Sequence, residues 1–78
     1  MYANGQGGEK DDKRAVELFT LSADQGDAHA QFFLGIMYER GEGVEQDVKR
    51  AVELLTLSAE QGDEDAINRL KQLEKLGL

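Results

Sequence analysis

The chain is one short sequence written almost twice. Residues 1–26, MYANGQGGEKDDKRAVELFTLSADQG, return as residues 37–62, MYERGEGVEQDVKRAVELLTLSAEQG. Tyr2 maps to Tyr38, Ala15 to Ala51 and Gly26 to Gly62, a constant offset of 36 residues, and 18 of the 26 aligned positions are identical. A period of about 20–50 residues is the signature of a solenoid, in which each unit buries its apolar face against its neighbours.

Within the repeat, the apolar spacing is helical. Val48, Ala51, Val52, Leu55 and Ala59 recur at steps of three and four, the period of a helix face. Asp47 stands just before this stripe, where a carboxylate can cap orphan backbone amides and meet the positive end of the helix dipole. Gly62 follows it, where a left-handed residue closes a helix cheaply. Asp11 or Asp12, with Gly26, takes the same part in the earlier copy. The other helix type begins at Asp27 and again at Asp63, and Ala30, Phe33, Leu34, Met37 and Tyr38 share its broad apolar side. Gly35 lies inside that helix at a cost of about 1 kcal/mol relative to alanine, tolerable where another backbone must come close. The spacing predicts four helices, over 12–25, 28–40, 48–61 and 64–76.

Composition fits this all-helical reading and narrows the chemistry. Seventy-eight residues make one small domain, and neither cysteine nor proline is present. Without cysteine there is no disulfide and no thiolate metal site. The net charge of −7 would be repelled by phosphate backbones, so nucleic acid and anionic membrane are poor partners. No run approaches the roughly 18 apolar residues of a membrane span, and no basic-then-apolar leader opens the chain. The compartment is unmarked, and the cytoplasm is the default expectation.

The residues Ala28, Ala30, Gln31, Phe32, Leu34, Gly35, Met37, Tyr38, Gly41, Gly43, Val44, Asp47, Ala51, Ala59, Gln61 and Gly62 follow a spaced pattern. It resembles the Sel-1-like repeat, a relative of the tetratricopeptide repeat: A-x-A-Q-Y-x-L-G-x-x-Y-x-x-G-x-G-V-x-x-D, then a helix ending A-A-x-Q-G. The resemblance implies an all-α, short right-handed solenoid of antiparallel helix pairs with a tetratricopeptide-like superhelix. It also marks Gly26, Ala30, Leu34, Gly35, Tyr38, Gly41, Gly43, Asp47, Ala51, Ala59 and Gly62 as residues that build the repeat. The departures are specific. Phe32 replaces a tyrosine, Phe33 a polar residue, and Ser58 (with Ser22) the first alanine of the A-A pair. Gly8 stands where the complete repeat has Val44.

The frame of the repeat divides the chain into a partial unit over 1–26, a complete unit over 27–62 and a closing helix over 63–78. In the last, Ala66, Leu70 and Leu73 keep the buried stripe. Phe32, Phe33, Gly35 and Ile36 have become Asn68, Arg69, Lys71 and Gln72, the polar outer face a terminal cap requires. At the other end the chain enters the repeat near the close of a first-type helix. Helix 12–25 is therefore expected to lack its usual neighbour. Either the chain is the C-terminal piece of a longer array, or a second copy covers the open side. The second case predicts a homodimer with an isologous contact, and Met1, Tyr2, Val16, Phe19 and Phe33 are the residues expected to form it.

No constellation supports catalysis. His29 is the single histidine, Ser22 and Ser58 are repeat-equivalent without a histidine beside them, and the carboxylates fall where helices start. The acidic spacing is not that of a calcium loop, and the glycines of GQGG and GEGV precede no phosphate-binding lysine. No cofactor and no metal are expected. Helical arrays instead present a concave surface lined by first-type helices, which selects His29, Gln31, Phe32, Phe33, Ile36, Glu39 and Arg40 as candidate partner-binding residues. The resemblance implies a non-catalytic adaptor or scaffold, of the kind used in protein assembly, signalling and host or secretion contexts, with one or more protein partners. A self-associating structural unit is the alternative.

Overall fold

The computed structural model describes residues 8–77, and among them four helices and no strand are found: α1 (Gly8–Asp24), α2 (Ala28–Arg40), α3 (Val48–Glu60) and α4 (Glu64–Lys75). Each of the last three starts on an aspartate. The carboxylates of Asp27, Asp47 and Asp63 accept from the backbone amides of Ala30, Arg50 and Ala66 at 3.1, 3.0 and 3.1 Å, which satisfies an otherwise orphan donor in each first turn. Gly26 and Gly62 close α1 and α3, both with φ 91°.

The start of α1 corrects the expectation that Asp11 or Asp12 caps it. The helix already includes Gly8, the first described residue, so both aspartates lie within it rather than before it. The difference from α3 is local. The residues before α3 are tied to α2, because Gln46 Nε2 donates to the Glu39 carbonyl at 2.8 Å and the Asp47 amide donates to the Tyr38 carbonyl at 2.9 Å. Those tethers hold Asp47 extended, at φ −151°, and stop α3 there. Among the described residues no earlier helix tethers the start of α1. There the helix propagates, each added residue gaining one intrahelical bond.

The loop between α2 and α3 is shaped by one close approach. Gly43 has φ 75°, and a Cβ placed on it would stand 2.5 Å from the Asp12 carbonyl oxygen. Only glycine combines that left-handed backbone with so near a neighbour. The loop thereby rests on the first turns of α1.

The core has two parts. Ala23, Ala30, Leu34 and Leu54 form one cluster, joined by the partly buried Val16, Phe19 and Tyr38. Leu55, Ala66 and Leu73 form the other, with Phe32, Ile36, Val52, Ala59 and Leu70 against it. Helix α2 is the centre of the stack, packed on α1 and most extensively on α3, while α4 packs on α3. Gly35 sits at the closest point of the α2–α3 contact. A Cβ there would meet Leu55 Cγ at 3.0 Å and the Ala51 carbonyl oxygen at 3.2 Å, so the missing side chain is what lets the two helices approach.

Candidate interaction surface

Helix α2 was expected to line a groove, and its side chains divide between the core and the surface. Gln31 is buried rather than available: its Nε2 donates to the Ala23 carbonyl at 3.4 Å and its Oε1 accepts from Gln61 Nε2 at 2.9 Å. It joins the ends of α1 and α3, so its assignment to partner binding is corrected. Phe32 and Ile36 are partly buried, packing against the second core cluster while keeping some exposed surface. Glu39 is occupied as well. Its two carboxylate oxygens accept from Nε (2.9 Å) and from an Nη of Arg69 in a partly buried, two-point pair. That hydrogen bonding raises the Arg69 pKa above the ordinary guanidinium value, against the opposing effect of burial.

Arg69 therefore differs from its neighbours on α4. Asn68, Lys71 and Gln72 are exposed, as a polar outer face requires, but Arg69 turns back to α2. With Ser58 Oγ donating to the Ala28 carbonyl at 2.7 Å, side-chain bonds from Gln46, Ser58, Gln61 and Arg69 fasten α2 to the elements that follow it. A sequence reading can see Glu39 and Arg69 as charges. Their meeting depends on how α2 and α4 cross.

Of the groove candidates, His29, Phe33 and Arg40 remain exposed. His29 Nδ1 lies 3.2 Å from Oδ2 of the N-capping Asp63, at the edge of an open cleft of about 500 Å³ between the starts of α2 and α4. Among the described residues, no group of three or more histidine or acidic side chains is arranged to hold a metal ion. Nor is any helix among them long and apolar enough to cross a membrane.

Phe33 has a distinct setting. The residue is 47% exposed, yet its ring stacks on Phe19 with centroids 5.4 Å apart and meets Phe32 edge-on at 5.2 Å. Such aromatic contacts hold a ring in one orientation. Of the residues expected at a self-association face, Met1 and Tyr2 lie outside the described residues, while Val16 and Phe19 pack on the first core cluster. The sequence reading passed over Leu18 and Leu21, which are 58% and 62% exposed on α1, the helix that carries Phe19. The signal was present, since Leu18 is the repeat equivalent of Leu54, one of the most buried residues of the molecule.

These surfaces offer apolar and aromatic contact area held on helices α1 and α2. Comparison with known proteins agrees in kind. No curated protein and no solved structure matches the chain. A family model described as Sel1 repeat matches twice, at residues 1–27 and 28–63, in register with the duplication. Sel1 repeats build helical solenoids and generally act as protein-interaction modules. Two matched units over well over half of its length place the chain in the Sel1 repeat family.

Proposed function

We propose that the chain is a non-catalytic scaffold module that holds a protein partner against the aromatic surface shared by α1 and α2. One observation carries this reading. Phe33 is half-exposed while its ring is braced by Phe19 and Phe32. Aromatic anchors of this kind dominate protein interfaces, and a preset ring loses little conformational freedom on binding. His29 and Arg40, both exposed on α2, supply polar groups toward its two ends.

The test selects binding peptides from a random display library against the folded protein, then measures each on Phe33→Ala. Selected peptides should weaken by about 2 kcal/mol or more on the variant, as expected of a central anchor. Lys71→Ala, on the outer face of α4, should leave them unchanged. Circular dichroism would verify that Phe33→Ala keeps its helices. Binders indifferent to Phe33 would place the interaction elsewhere and overturn the reading.

A further inference from the structure

We infer that the partner seated on Phe33 is a basic protein segment. An apolar side chain of that segment meets the ring, and lysines or arginines flanking it run past His29 onto the edge where α1 and α3 end. The inference rests on the reading of the Phe33 surface as the interaction site and adds the chemistry of what binds there. Charge carries it. Residues 24–29 and 60–65 hold six of the sixteen acidic residues, Asp24, Asp27, Glu60, Asp63, Glu64 and Asp65, and none of the nine lysines and arginines. The rest of the chain has ten acidic and nine basic residues, so nearly all of the net charge of −7 resides in these two turns.

The fold sets the two turns side by side. Gln31 bonds to the Ala23 carbonyl and to Gln61, and the Ser58 hydroxyl donates to the Ala28 carbonyl. All of the six acids but Asp63 are exposed, and His29, Asp63, Glu64 and Asp65 help wall the open cleft between the starts of α2 and α4. His29 precedes Phe33 by four residues, about 6 Å along the helix axis, so a single short segment reaches from the ring to the acidic edge. Arg40, exposed at the opposite end of α2, fixes the direction: the basic residues of the partner lie toward His29.

Helix stability accounts for only part of this charge. Asp27 and Asp63 cap α2 and α4, and Glu64 and Asp65 lie in the first turn of α4, where the helix dipole favours them. Asp24 and Glu60 are instead the last residues of α1 and α3, where the dipole disfavours an acid. Among the described residues neither forms an ion pair. A lysine or arginine arriving from a partner supplies the cation that the fold does not. Complementary charge of this kind steers association and sets the register of a bound chain, while the aromatic anchor holds it.

The experiment sequences the peptides selected from a random display library against the folded protein and measures them on two charge variants. Asp24→Asn with Glu60→Gln removes two acids from the edge. Glu42→Gln with Glu45→Gln removes two from the exposed loop at the opposite end of α2, for the same change in net charge. Selected peptides should carry lysine or arginine on one consistent side of an apolar residue. They should bind the edge variant roughly fivefold more weakly and the loop variant as tightly as wild type. Added salt should weaken binding to wild type more than to the edge variant. Equal losses on the two variants would reduce the effect to overall charge and overturn the inference. If the peptides depend on Phe33 but lack basic residues and ignore Asp24 and Glu60, only this partner chemistry falls and the scaffold reading stands. Basic peptides that need the edge yet ignore Phe33, or a library that yields no binder, would overturn both.

Discussion

Helices α1 and α3 are nearly the same sequence in two settings. KRAVELFTLSADQG and KRAVELLTLSAEQG differ at two positions. Yet Leu54 is 3% exposed and Leu18 58%, and Ser58 is fully buried where Ser22 is partly open. Helix α3 has α2 on one side and α4 on the other, whereas α1 makes its main contact with α2. Burial here belongs to the neighbours rather than to the helix. An amphipathic pattern states which face will be apolar, and the stack decides whether anything covers it.

The sharpest way to break that comparison is a matched pair of truncations. Leu54→Ala removes a buried side chain next to Ala23, Ala30 and Leu34 and should cost about 3 kcal/mol. Leu18→Ala removes an identical side chain from an exposed place and should cost about 0.5 kcal/mol or less. Urea unfolding of both variants reads the difference directly. Equal losses would mean that α1 is covered in solution.

Next in size is Gly35→Ala. Alanine gains about 1 kcal/mol of helix propensity over glycine. The added methyl meets Leu55 Cγ and the Ala51 carbonyl, an overpacking that costs about 1–3 kcal/mol. The net effect expected in thermal unfolding is destabilising. At Lys71, the repeat-equivalent position on α4's exposed face, alanine should be nearly neutral.

A smaller effect separates the two serines. Ser58→Ala deletes a hydroxyl that donates to Ala28 across the α2–α3 contact and should cost about 1 kcal/mol. Ser22→Ala, in the open copy, should cost measurably less in the same denaturant titration.

The weakest prediction concerns how α4 is fastened. The partly exposed Glu39–Arg69 pair should contribute about 0.5–1 kcal/mol by double-mutant cycle, declining in high salt as screening takes over. Its pH behaviour on the arginine side follows from sign. A cation whose pKa is raised on folding stabilises the fold below its unfolded pKa and loses that stabilisation only as pH climbs through the raised value. Arg69 is shifted upward from an already high value, so its share should be constant across neutral pH.

Much of this architecture is legible along the chain because it is local. Asp27, Asp47 and Asp63 cap as expected, since a carboxylate before an apolar stripe needs only its own next turn to find an amide. The start of α1 escaped that logic. Asp11 resembles Asp47 in sequence, but what stops α3 is its tethering to α2 through Gln46 and Asp47. The interaction surface was legible only in part. Gln31, Phe32, Ile36 and Glu39 share a helix with His29, Phe33 and Arg40, and only the rotation of α2 between α1 and α3 separates structural from exposed residues.

By itself, then, the sequence determined the repeat length, the four helices, the capping aspartates and the need for a small residue at Gly35. Each follows from periodicity or from contacts within a few residues. The tertiary structure decided which copy of the duplicated helix is buried, which side chains of α2 remain free, and that Arg69 returns to Glu39. Those outcomes depend on helix rotation and on neighbours far apart along the chain, which identical local sequences cannot distinguish.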